Sequence, residues 1–319
     1  MEIRERPAVQ VLLSTYNGAR FLEEQLDSLA AQDFEGWSLL IRDDGSRDET
    51  LAIIARWRAR HPDRAVILPN PDRLNLGFLG SFSRLLEAST ARYVMFADQD
   101  DVWLPGKISM TLAAMKQQED EVGPDRPVLV HTDLTIVDAR LRVVAPSSWR
   151  HQGLVPRCGQ TFSGLLVENV VWGCTAMLNR ALVDKVRTIP PGVRYHDWWI
   201  ALVAAAFGDI VPLPRQTVLW RRHGANESES ADLRALVWRA LRGLPATRRR
   251  LAILLEEYRP RTRLFLERYG SEMPPTAVAA ARALLLLPER GYVARRIDLI
   301  RHRLFFSSPV RIVGLLALI

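Results

Sequence analysis

The sequence predicts an α/β fold: a mostly parallel sheet flanked by helices, with an α-helical C-terminal extension. Three observations carry this. Strand and helix signals alternate through the first half, as in a sheet whose crossovers are helical. The first strands are nearly continuous apolar runs, the pattern of strands covered on both faces. From about Ala231 the pattern becomes an arginine-spaced helical periodicity without strand signals.

Each element can be read in order. VQVLLS (9–14) is the first strand, and FLEEQLDSLAAQ (21–32) is a helix with apolar positions at 21, 22, 26, 29 and 30. WSLLIRDDGS (37–46) is a second strand ending in an acidic turn, followed by a helix from Asp48 to Arg60 with Ser46 or Asp48 as its cap. AVILPN (65–70) is a short third strand, NLGFLGSFSRLLEAS (75–89) a loop entering a helix, and RYVMFADQDD (92–101) a fourth strand. A helix follows near Pro105. Beyond it, VLVHTDLTIVD (128–138) suggests a strand pair or hairpin, and VVWGCTAML (170–178) another strand. HDWWIALVAAAFG (196–208) suggests a helix with an acidic start, with strands and loop from DIVPLP to HG. The polar run HGANESESAD marks a boundary near 228, so residues 1–228 form the main domain and 229–319 a basic helical region.

The 319 residues suffice for one large α/β domain with an appendage, and 48% apolar with 25% charged residues fits a globular chain with a sizeable core. A net charge of +7 points to anionic partners such as nucleotides or phospholipids. No nucleic-acid recognition motif accompanies that charge. Cys158 and Cys174 form no CxxC pair or Cys/His cluster, which argues against a disulfide framework and structural zinc. The charged start MEIRERP leads straight into a strand without a signal-peptide pattern, so a cytoplasmic location is expected. No apolar run reaches the roughly 18–20 residues of a spanning helix.

FADQDDVWLPGK (96–107) packs three carboxylates into four positions at a strand end. Such carboxylates suit a hard divalent cation, Mg²⁺ or Mn²⁺, that completes its shell with substrate phosphates and water. A solvated turn capping the next helix is the plain alternative. On an extended backbone Asp98 and Asp100 point one way and Asp101 the other, so the three are not expected to chelate one ion together. DDGS (43–46) and STYN (14–17) also sit at strand ends, where ligands of open parallel sheets bind.

Together, STYNG, DDGSRDET, NLGFLGSF and DQDDVWLPGK, each following a strand, resemble an inverting family 2 glycosyltransferase with the GT-A fold. ADQDDVWLPGK and YHDWW are similar to bacterial rhamnosyltransferase-like members, and the resemblance covers roughly residues 8–226. It implies a nucleotide-binding half over about 8–108 and an acceptor half over about 109–228. Ser14, Thr15 and Tyr16 would line the nucleobase, Asp44 would bond its imide edge, and Asn75, Asp98 and Asp100 would complete the nucleotide-sugar site. Asp100 and Asp101 would hold the metal, with His223 of WRRHG closing over the metal-diphosphate and its neighbouring arginines steadying that charge. Asp197, at a helix start, would be the general base, kept ionised by the helix N-terminus. His196 stands where the family has Glu, and it joins Trp172, Gly173 and Trp198 on the acceptor side.

The implied activity is metal-dependent transfer of a sugar, with rhamnose a candidate, from a dTDP- or UDP-sugar to a glycan or lipid-linked hydroxyl. A non-catalytic nucleotide-sugar sensor of the same fold is the alternative. The basic tail, with Trp, Phe and Leu opposite its arginines, suits either peripheral attachment to the inner face of the cell membrane or packing on the main domain.

Overall fold

In the computed structural model, residues 7–224 and 244–318 are described. The chain runs β1 (Val9–Thr15), α1 (Leu22–Ala30), β2 (Trp37–Asp43), α2 (Thr50–Arg60), β3 (Ala65–Ile67), α3 (Gly77–Ala88), β4 (Tyr93–Asp98), β5 (Val102–Trp103) and α4 (Lys107–Val122). It continues through β6 (Val128–Val137), β7 (Val143–Ala145), α5 (Ser148–Gln152), α6 (Pro156–Gly159), α7 (Phe162–Val167), β8 (Ala176–Asn179), α8 (Arg180–Val186), α9 (His196–Phe207) and β9 (Asp209–Arg221). Four helices follow among the described residues: α10 (Leu244–Tyr269), α11 (Pro275–Leu286), α12 (Tyr292–Arg301) and α13 (Pro309–Leu318).

The strands form one sheet in the order β3-β2-β1-β4-β8-β6-β9-β5, with β7 on β6. The first four neighbours are parallel, and so is β6 with β9; β8, β5 and β7 pair antiparallel. Why the first strands read as unbroken apolar runs is now visible. Val9, Val11 and Leu13 pack with Leu22, Ile53, Ile108 and Met115 from α1, α2 and α4. Leu12, between them, points to the other face and packs with α3, α7 and α9. β4 divides the same way, Met95 to one face and Phe96 to the other.

Two departures from the sequence expectation matter for the site. The segment 170–178 is a strand only from Ala176; Gly173–Thr175 is a 3₁₀ turn in which the Thr175 hydroxyl donates to the Trp172 carbonyl at 2.7 Å. The stretch after α9 is one strand of 13 residues, not strands and loop. Pro214 has no amide to donate, and it falls where the register against β6 slips between Thr132 and Asp133. That bulge lets a single strand continue past β6 and pair Leu219 with Val102, which carries residues 221–223 to the acidic turn.

Residues 231–243 of the expected basic tail lie outside the described residues. What is described of the tail packs on the main domain: Phe265, Tyr269, Leu284, Leu299 and Leu304 share one core with Trp199 and Phe162. Phe265 is fully buried, its ring 5.1 Å from Trp199 and 5.4 Å from Phe162. Phe265→Ala should therefore destabilise the whole protein by about 3–5 kcal/mol. Denaturant unfolding checks this, and a melt of the tail alone, leaving the main transition unmoved, would contradict it.

Candidate active site

The strand order reverses direction between β1 and β4, where ligands of open sheets bind. There Ser14 sits beside Asp98 in register, and the loops leaving the two strands part to open a cavity of about 810 Å³. That size suits a ligand larger than a simple sugar. Ser14, Tyr16, Asp44, Asn75, Asp98 and Asp100 line it, with Trp172, Gly173, His196, Asp197 and Trp198, and His223 joins them from beyond the end of β9. Residues from seven separate stretches thus share one space.

Thr15 and Asp101 are not among the lining residues. Thr15 is fully buried, its hydroxyl donating to Asp43 at 3.0 Å, so it braces the DDGS turn instead of facing a base. Asp101 is fully buried as well, and its Oδ1 accepts the Arg221 amide at 3.0 Å. The strand itself ends at Asp98, yet the turn keeps the division expected of an extended backbone, with Asp98 and Asp100 one way and Asp101 the other. Asp98 and Asp100 both face the cavity, while a ligand atom of Asp101 lies within 4.8 Å of those of Asp98 and Cys174 beneath it.

Asp44 lines the cavity while ion-paired to Arg42 and accepting the Leu76 amide at 2.9 and 3.0 Å. It ties the NLGF loop to β2. Tyr16 is held through its backbone: Gln99 accepts from its amide at 2.9 Å and donates to its carbonyl at 3.0 Å. A Cβ at Gly18 would come within 2.2 Å of Gln99 Oε1, so glycine there makes room for that clasp.

The acidic turn is offset by cations brought from far along the chain. Arg221 donates to the Asp100 and Ala139 carbonyls at 2.7 and 2.8 Å and to Glu24 at 2.6 Å, over the Phe21 ring. It is buried, so it fixes the turn and does not present its charge to a diphosphate. Lys107 is buried near Asp101 and Cys174, and burial brings its ammonium down to about 8. His223 Nε2 lies 2.7 Å from Asp100 Oδ2, its ring stacked on Phe21 at 5.1 Å.

Even so, repulsion persists. Burial first, then the Asp100 and Asp197 charges, push Asp98 up to about 7. Burial, then Asp100 and Asp98, push Asp101 well above the carboxylate range. Asp101 Oδ2 is buried without a hydrogen-bond partner among the described residues. Crowded carboxylates with one imidazole are a donor set that fits Mg²⁺ or Mn²⁺, whose charge would relieve the crowding.

Asp197 is the second residue of α9. Its carboxylate accepts the Gly173 amide at 2.9 Å, the Trp198 amide at 2.6 Å and Asn169 Nδ2 at 3.2 Å. The helix start alone predicts an ionised carboxylate of lowered basicity. Instead burial outweighs these bonds and raises it to about 6. It is a better base than an ordinary aspartate and still ionised near neutrality.

His196 is buried against Phe82, Phe96 and Phe78, with both ring nitrogens unpartnered among the described residues, and burial lowers it to about 3. A Cβ on Gly173 would come within 2.7 Å of its Nε2, so the glycine lets the 3₁₀ turn approach α9. Trp198 shows the cavity little surface. Its indole donates to the Leu165 carbonyl at 2.6 Å and Arg261 covers one face at 3.6 Å, leaving Trp172 the more open ring.

The pattern of Glycosyl transferase family 2 matches residues 10–187. This chain is a family 2 glycosyltransferase. The transferase is 27% identical over 241 residues to the dTDP-rhamnosyl transferase RfbG of Shigella flexneri, covering 70% of this chain and 78% of that one. Its fold matches S. aureus TarS 1–349 solved in complex with UDP-GlcNAc, at a TM-score of 0.56 and 17% identity, over 97% and 90% of the two chains. It also matches the Pyrobaculum calidifontis mannosyltransferase PcManGT solved with GDP-Man and Mn²⁺, at 0.52 and 18%, over 98% and 87%. These likenesses establish the GT-A fold. Asp197 and His223 lie beyond the family-matched segment.

Proposed function

We propose that the transferase moves a sugar from a nucleotide-diphosphate donor to a hydroxyl of a glycan or lipid-linked acceptor, with inversion, in bacterial surface polysaccharide synthesis. The observation that supports this best is Asp197, a hydrogen-bonded carboxylate raised to about 6, in the same cavity as Asp98, Asp100 and His223. Tyr16, Asp44 and Asn75 take the nucleotide end, and Trp172 offers an open face to an acceptor sugar.

Asp197 removes the acceptor proton as that oxygen bonds the anomeric carbon. The bond from that carbon to the diphosphate oxygen breaks, and its electron pair leaves with the nucleotide diphosphate. Asp100 and His223, with Asp98 beside them, would hold Mg²⁺ or Mn²⁺, which when bound neutralises charge on the leaving diphosphate. Gly173 N–H and Asn169 aim the base, and Arg221 keeps the acidic turn in place. The named relative and the arrangement of motifs favour a dTDP- or UDP-linked sugar, with rhamnose first to test. A lipid-linked acceptor would place the transferase peripherally on the inner face of the membrane; among the described residues, no helix is long and apolar enough to cross one.

The test is a panel of dTDP-rhamnose, UDP-glucose, UDP-GlcNAc and GDP-mannose, each with Mn²⁺ or Mg²⁺. At least one donor should raise the melting temperature and be consumed. If none does either, the reading fails. With a consumed donor, kcat/KM should fall as pH drops through about 6, because protonated Asp197 cannot accept the acceptor's proton. A flat profile from pH 5 to 8 would contradict that role.

A further inference from the structure

We infer that α12 is a docking surface for an anionic lipid bilayer. Val293, Ile297 and Ile300 are 66, 56 and 58% exposed, and they fall at i, i+4 and i+7, a single stripe along the helix. Tyr292, 63% exposed, stands at its start. Large apolar side chains are rarely left open in such a row. The helix is not loose: Leu299 on its inner side is fully buried in the main core, and Arg295 ties it to the Leu287 and Arg290 carbonyls at 3.0 and 2.9 Å. The outward stripe is therefore held in place by the fold.

Charge decides what covers it. Between residues 289 and 303 the chain carries five arginines against two acids, Glu289 and Asp298. Asp298 is already engaged by Arg290 at 3.1 Å. On the helical wheel Arg296 and Arg301 flank the apolar stripe on its two sides, and Arg301 and Arg303 are exposed. Arg296 lies over the Tyr292 ring at 3.4 Å, a guanidinium set at the level of an aromatic. An apolar stripe bordered by arginines and tyrosine suits the boundary between acyl chains and anionic headgroups. A second copy of the chain packed through the same face would set these arginines against themselves. The inference deepens the peripheral placement proposed above, yet it does not depend on which sugar is transferred.

Flotation of the full chain with vesicles tests it. Vesicles of phosphatidylcholine with phosphatidylglycerol should carry the protein, and pure phosphatidylcholine vesicles should not. The variant I297E/I300E should lower the bound fraction on anionic vesicles at least about tenfold, with its melting temperature and its donor-induced shift unchanged, since neither residue touches the cavity. Ile297→Trp gives a second reading: its emission should shift to the blue when anionic vesicles are added. Equal vesicle binding by wild type and I297E/I300E, or no binding by wild type, overturns the inference. So does a dimer that I297E/I300E splits while vesicle binding stays unchanged. Loss of vesicle binding with donor consumption intact leaves the transferase reading standing, so the two fail separately.

Discussion

Asp197→Asn should lower kcat by roughly 10²–10⁴-fold with little change in donor affinity. The amide keeps the shape, and its oxygen can still accept the Gly173 and Asn169 donors, but it cannot take a proton. Donor-induced melting shifts should persist, because the role proposed for Asp197 leaves the nucleotide end to Tyr16, Asp44 and Asn75. Hydrolysis of the donor by water needs the same proton removal and should fall in parallel. Wild-type turnover in D197N would move the base elsewhere, with the adjacent His196, whose ring nitrogens have no partner among the described residues, as the next candidate. At about 3, however, His196 is a far weaker base than Asp197 at about 6.

Asp100→Asn should act at the opposite end, on binding. The change removes one carboxylate charge from a cation site and leaves His223 facing an amide at the position where it now meets Oδ2 at 2.7 Å. Changing groups that merely support a metal ligand costs about 10–100-fold in metal affinity, so loss of a ligand itself should exceed about 100-fold. Titration of Mn²⁺ in the presence of UDP or dTDP, read by calorimetry, checks it. An unchanged metal affinity would shift the metal to Asp98 and Asp101 with Cys174, whose ligand atoms lie within 4.8 Å of one another. Asp98 should also titrate nearer the ordinary carboxylate range in this variant, since part of its rise comes from the Asp100 charge.

Much of this was legible in sequence because it is local. Doubly covered strands announce themselves as unbroken apolar runs, and acids at their ends mark where a ligand sits. The parallel half of the sheet and the gathering of the four motifs follow from that. The departures come from contacts distant in sequence. Alternation along ADQDD separates Asp101 from Asp98 and Asp100, as found, but nothing in those letters says how deeply Asp101 is buried, and the resemblance alone put it on the metal. Arg221 and Lys107, which answer the question of what offsets three neighbouring acids, come from 120 residues downstream and from the next helix; only the spatial pairing reveals them. Gln99 and Asn169 are invisible in the sequence because a lone amide carries no pattern. The basicity of Asp197 is hidden for a related reason: a helix start is visible in sequence, but the depth at which it is buried is not.

The contact between Arg261 and Trp198 has a bearing on protein engineering. Arg261 is buried, donates to the Leu166 carbonyl at 2.7 Å and lies on the indole next door to the base. The tail's helices thus form the floor under the first turn of α9. A chimera that borrowed another enzyme's acceptor half by splicing near 228 would keep this floor while replacing what stands on it. Recombination intended to redirect such an enzyme to a new acceptor has its natural exchange unit elsewhere, from the 3₁₀ turn through the last helix, inherited as one piece.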